Sequence, residues 1–159
     1  MTTNYLLLFH LQLSSNNNLI PGRLLLINKD RDSLENIYSA TSGLPQYQTR
    51  VNLSTVGRGA IPPHDEVGIA HYTVDTSPIY MPNVKGVEGN FYKIDPHSVT
   101  IKAMSRGDFG CHFDANVPGS SGCIVLRTKV GWDGFESDMK RFKDQNMTTL
   151  PLLVSYTTL

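Results

Sequence analysis

Only one stretch of this chain carries a helical period, and that scarcity limits what it can fold into. Trp132, Phe135, Met139 and Phe142 recur at spacings of three, four and three, with Glu136, Asp138, Lys140, Arg141 and Lys143 between them. This is the apolar stripe and charged flank of an amphipathic helix resting on a core. The aromatic stripe is core packing rather than a cofactor box. Elsewhere the apolar residues come in short runs separated by Gly, Pro, Asn and Ser, the pattern of strands and turns.

Strands are expected at Tyr5 to Leu13, Arg23 to Asn28, Ile37 to Ser42, Val67 to Val74, Phe91 to Ile94, Ser98 to Ala103 and Leu152 to Tyr156. The first two are joined by Ser14-Ser15-Asn16-Asn17-Asn18 and Pro21-Gly22, a polar linker and a turn signal that predict an antiparallel hairpin. Residues 43–63 form a long irregular stretch, and segments of this length are usually functional or mobile. Asp75 to Asn90 reads as a surface loop or flap. The fold class is therefore mostly β, an antiparallel sandwich or open barrel with one helix near the C-terminus. No repeat or linker divides the chain, so residues 1–159 read as a single domain.

Fourteen basic and fourteen acidic residues cancel, which argues against nucleic acid, whose partners usually carry an excess of Lys and Arg. Two cysteines make no disulfide framework, and Cys111 and Cys123 lack the paired spacing of a zinc site. No metal or cofactor is expected. Gly57-Arg58-Gly59 has no Lys-Ser/Thr after it and no helix pattern, so a phosphate loop is rejected. The apolar run Tyr5 to Phe9 has no preceding basic residue, is interrupted by His10 and Gln12, and is too short to span a membrane. It reads as a strand, and the chain as one made in the cytoplasm without a recognisable signal peptide. No residue pattern bears on oligomeric state.

The chemistry is concentrated in Phe109 to Arg127, where a thiol, an imidazole and a tight turn meet. Ser120-Ser121-Gly122 supplies small residues and a glycine for a sharp turn beside Cys123, and Ile124-Val125-Leu126 then reads as a buried strand that mounts the thiol. A lone strand thiol is ordinarily a small hydrophobe. Cys111 is read that way, because side chains alternate along a strand and Cys111 would face the core if His112 faces a cleft. Cys123 is read as the nucleophile. Only a thiolate attacks carbonyls efficiently, so the site is expected to depress the thiol pKa with an adjacent imidazolium and converging N–H dipoles. Of the five histidines, His10 falls in the first strand and His64 and His97 in polar, proline-flanked loops, leaving His112 and His71 as candidates for the base. The backbone N–H groups of Gly122 and Cys123 are placed to hold the oxyanion.

A histidine at a strand end, a short loop and Ser-x-Gly-Cys-Ile, here His112 and Ser120-Ser121-Gly122-Cys123-Ile124, resemble the active-site signature of the L,D-transpeptidase catalytic domain (YkuD-like). Arg106-Gly107-Asp108-Phe109-Gly110, Gly59-Ala60-Ile61-Pro62-Pro63 and Thr41-Ser42-Gly43 extend the resemblance over most of the chain. It implies that His112 is the base, that the fold is of the L,D-transpeptidase type, and that the substrate is the stem peptide of peptidoglycan, attacked through a Cys123 thioester. The acyl group would pass to an amine or to water, as in a transpeptidase or an endolysin-like hydrolase of phage type. Seven residues between His112 and Ser120, a short link, tilt the expectation towards hydrolysis. Action on the cell wall or in the periplasm would then need release by phage lysis, a virion or a specialised secretion route.

The orienting acceptor for His112 is either Asp114 or the carbonyl of Phe113. Candidates for holding the substrate are Ser120, Ser121, Asp114, Arg106, Arg127, Tyr72 and His71. The arginines suit free carboxylates, and Ser121, where the family usually has histidine, is either a turn residue or a hydroxyl donor. Two other classes are compatible with the residues. One is a catalytically silent wall-binding or virion structural protein, and the other an unrelated cysteine amide hydrolase.

Overall fold

The computed structural model describes residues 4–158. Eleven strands and one α-helix form among them: β1 Tyr5–Leu13, β2 Gly22–Asn28, β3 Ser33–Ser42, β4 Tyr72–Asp75, β5 Ile79–Met81, β6 Gly89–Asp95, β7 Ser98–Ile101, β8 Met104–Gly107, β9 Gly110–Phe113, β10 Ile124–Leu126, α1 Lys129–Asp144 and β11 Thr149–Thr158. Alternation sets the sheet's inner face. Leu7, Phe9, Leu11 and Leu13 of β1 are buried, as are Leu24 and Leu26, Tyr72 and Val74, and Leu150, Leu152 and Val154 on the strands that follow or flank it.

The strands run in the order β4-β11-β1-β2-β3-β10-β9-β6, and β4 pairs with β6, so eight strands close into a barrel. This corrects the expected sandwich or open barrel. Two pairings also depart from the antiparallel pattern, since β1 runs parallel to β11 and β9 parallel to β10. Closure removes the edges an open sheet would expose, and it depends on a meeting of β4 and β6 that no local pattern announces. β5 continues outwards from β6, so the expected flap contains a short strand.

Ser98 to Ala103 proves to be two things. β7 ends at Ile101, the chain reverses at Lys102 and Ala103, both with positive φ (47° and 63°), and β8 returns antiparallel, pairing Ser98 with Gly107. A two-residue turn with both φ positive normally uses Asn and Gly; Lys-Ala hides it from sequence reading. Pro151, expected to precede the last strand, lies within β11, opposite Thr73 of β4 and one residue before the ladder with β1 begins at Leu152.

The helix forms where its period predicts. Thr128 caps it, its hydroxyl accepting from the N–H of Gly131 at 3.0 Å, and Asn146 with φ 64° turns the chain out after its end. Trp132, Phe135, Met139 and Phe142 are buried, with Phe135 edge-on to Tyr38 and Tyr92. No helix among the described residues is long and apolar enough to cross a membrane.

Residues 43–63 are fastened from within. Gln48 Nε2 donates to Thr41 Oγ1 (2.7 Å) and to the Ser42 carbonyl (2.8 Å). The Arg106 guanidinium, on a residue only 3% exposed, donates to the carbonyls of Leu53 (2.8 Å), Gly59 (2.9 Å) and Ala60 (2.7 Å). A planar fork of N–H groups suits this work, since converging carbonyls need donors at fixed angles.

Candidate active site

Cys123 stands immediately before β10, and β10 lies parallel to β9 with Val125 opposite His112 and Ile124 opposite Cys111. Carrying that register back one residue sets Cys123 beside Gly110. Cys123, Val125 and His112 therefore share one face, while Cys111 points to the other. Cys111 is fully buried in the core, and burial holds its thiol far above the usual range.

The imidazole of His112 is nearly enclosed, 5% exposed, and stacks on Phe91 with ring centres 6.1 Å apart. Its Nδ1 lies 2.9 Å from the carbonyl of Phe113, so Nδ1–H donates there and Nε2 is left as the acceptor. Of the two candidate orienting groups, the Phe113 carbonyl makes this bond. Burial pushes the His112 pKa below its ordinary value, while the Phe113 hydrogen bond and the Asp114 charge act upwards. Gly110 is needed beside this pair, because a Cβ there would overlap the Phe91 ring.

The Cys123 thiol is partly exposed and donates to the carbonyl of Asp108 at 3.7 Å. Burial pushes its pKa up to about 11; a Gly110 backbone hydrogen bond acts downwards, and the Asp108 charge upwards again. This reverses the expected depression. Desolvation of the sulfur outweighs one N–H dipole, and burial holds the His112 imidazole, on the same face, towards its neutral form, so at rest a thiol and a neutral imidazole are favoured. With a thiol pKa of about 11, alkylation of Cys123 by iodoacetamide should accelerate about tenfold per pH unit between roughly pH 7 and 9, without a plateau. A rate already flat across that interval would show a thiolate preformed at neutral pH and overturn this assignment.

The turn before Cys123 is held together by Ser120. Its buried hydroxyl donates to the Cys123 carbonyl (2.5 Å) and accepts from the N–H groups of Gly43 and Gly122, each at 3.3 Å. Ser120 is thereby a structural residue of the loop. Gly122 takes φ 131°, and a Cβ there would lie 2.7 Å from Arg106 Nη2 and 2.8 Å from Phe109. Both the backbone angle and the space require glycine. Because the Gly122 N–H is turned onto Ser120, the two expected oxyanion donors are not equivalent in this state.

The proposed substrate-holding residues separate. Ser121 is exposed and shares a cleft of about 450 Å³ with Cys123, Asp108, His97, Ser98 and Val56 among others. Arg106 also lines that cleft, but its Nη2 donates to the Ser121 carbonyl at 2.8 Å as well, so its guanidinium is committed to main-chain carbonyls. Arg127 pairs with Asp114 (3.1 Å), whose carboxylate also receives the Gly119 N–H (3.4 Å); together they pin the loop between β9 and β10. Tyr72 is buried against Phe109 with its hydroxyl on the Pro62 carbonyl (2.7 Å), and His71, exposed, holds the Tyr72 carbonyl at 2.7 Å. Neither lines the Cys123 cleft.

Sequence reading passed over His97 and Asp108. The β7–β8 hairpin brings them together, with His97 Nε2 3.2 Å from Asp108 Oδ1 at the cleft. The signal was the hairpin itself: once Ser98 is seen to pair with Gly107, the next residues outwards are His97 and Asp108. Compared with known proteins, the chain matches no family model, no curated protein and no solved structure.

Proposed function

We propose that the protein is a cysteine acyltransferase or hydrolase acting on the stem peptides of peptidoglycan, of the L,D-transpeptidase type. The observation that carries the cysteine chemistry is the shared face of Cys123 and His112, with His112 tautomerically fixed by the Phe113 carbonyl and the thiol reaching the cleft. The substrate class rests on the motif resemblance around Ser120-Ser121-Gly122-Cys123.

In acylation the sulfur attacks the scissile carbonyl carbon while its proton passes to Nε2 of His112, since neither group is charged at rest. The Cys123 N–H supports the developing oxyanion. Collapse breaks the C–N bond, the imidazolium returns its proton to the leaving amine, and a thioester remains. An acceptor amine then gives a cross-link, and water gives a cut peptide. Action on the wall would take place outside the cytoplasm.

Incubation with disaccharide-tetrapeptide, followed by mass spectrometry, tests the reading. Mainly hydrolytic products are expected. The link between His112 and Ser120 is short and tied down by Asp114 and Arg127, which leaves little chain to build a second, water-excluding wall. Cross-linked dimers as the main product would replace hydrolysis by transpeptidation, and an unchanged substrate with an unacylated Cys123 would leave a silent wall-binding or structural protein.

A further inference from the structure

We infer that His97, held by Asp108, is a second acid–base group of the Cys123 cleft and acts on the acceptor that resolves the acyl-enzyme; this rests on the acyl-transfer reading above. The cleft is lined by Cys123, Ser121, Asp108 and His97, and His112 is not among its lining residues. An acceptor arriving from solvent therefore meets the His97 imidazole, whereas His112 lies enclosed against Phe91.

His97 and Asp108 are tied twice. Their side chains meet at 3.2 Å, and the Asp108 N–H donates to the His97 carbonyl at 3.1 Å. Asp108 in turn touches the nucleophile, its carbonyl accepting from the Cys123 thiol at 3.7 Å. One residue thus sets the position of the imidazole relative to the sulfur. Asp108 adopts φ 60°, a left-handed conformation that a non-glycine residue takes only at a cost. The contact of His97 with Asp108 is open, with side chains 71% and 86% exposed, so it contributes little to stability.

With Nε2–H donated to Asp108, the Nδ1 lone pair of His97 is the one that can take a proton. As water attacks the thioester, the new C–O bond forms and the C–S bond breaks with its electron pair left on the Cys123 sulfur. The proton of the water passes to His97 Nδ1. It then moves to the sulfur, restoring a thiol and a neutral imidazole. An amine acceptor follows the same path with a C–N bond in place of C–O. His112 serves acylation and His97 resolution.

p-Nitrophenyl acetate separates the two steps without requiring the natural substrate, because nitrophenolate release in the burst reports acetylation and the steady rate reports loss of acetyl from Cys123. His97→Gln should keep the burst rate within about twofold while the steady rate falls about 10²-fold, with acetyl-Cys123 accumulating by intact-protein mass. Asp108→Asn should also slow resolution, by less, yet speed iodoacetamide alkylation of Cys123, because its charge opposes the thiolate. A merely structural Asp108 would not give these opposite changes. Both side chains are exposed, so melting temperatures should be unchanged and loss of fold excluded. A steady rate within about twofold of wild type in His97→Gln would overturn the inference. Wild type that is acetylated and resolved but leaves stem peptides intact would overturn the peptidoglycan reading alone.

Discussion

Replacing Cys123 by alanine is expected to abolish turnover, by about four orders of magnitude or more, while Cys111→Ala retains most of it. The two thiols are twelve positions apart in sequence and differ in what surrounds them. Cys123 leads into β10 on the face that His112 occupies, and its sulfur reaches the cleft. Cys111 pairs with Ile124 and Tyr92 on the inner face, fully buried, where its deprotonated form is strongly disfavoured. Truncating it removes one small apolar group from a packed core, at a cost of about 1 kcal/mol. Acylation by p-nitrophenyl acetate and turnover of tetrapeptide muropeptides both read the difference. Equal loss in two equally folded variants would show that the assignment of nucleophile and core thiol is wrong.

Arg106→Ala should produce the largest loss of stability of any single replacement considered, roughly 3–5 kcal/mol. The guanidinium is buried and gives four hydrogen bonds to the carbonyls of Leu53, Gly59, Ala60 and Ser121. Removing it leaves those acceptors to an emptied site, and each unsatisfied buried group carries its full desolvation penalty. The stacking of the guanidinium over Phe109 is lost as well. Arg106→Lys should recover only part, because an ammonium has three donors and no planar fork. The urea midpoint should fall with little change in slope. Activity should fall too, since Nη2 bridges the Gly59 carbonyl of the 43–63 segment and the Ser121 carbonyl of the turn before Cys123. A midpoint shift equivalent to less than about 1 kcal/mol would show that water replaces the guanidinium without difficulty.

Arg106 also shows where sequence reading of the site stopped. An arginine near a candidate nucleophile suggests a clamp for carboxylates, and nothing local reveals that four carbonyls from two other segments converge on it. Asp114 and Arg127 are similar: each was a sound candidate for chemistry, and tertiary packing joins them to each other. The raised thiol pKa was illegible for the same reason, because desolvation is a property of everything packed around the sulfur and not of its neighbours in the chain.

Elements with local or periodic signals were legible in the chain alone. The stripe Trp132, Phe135, Met139 and Phe142 located α1, the apolar run opening Tyr5–Leu13 located β1, and Ser120-Ser121-Gly122 announced a turn that the Gly122 φ of 131° requires. The chain also placed Cys111 and His112 on opposite faces of one strand, since alternation needs no knowledge of the neighbours. That β4 meets β6 to close the barrel, that β9 and β10 run parallel, and that His97 and Asp108 stand with Cys123 at one cleft was set by long-range packing. Those arrangements join residues far apart in the chain. They are selected by closure of the sheet and burial of its inner face, a global condition that no short window of sequence contains.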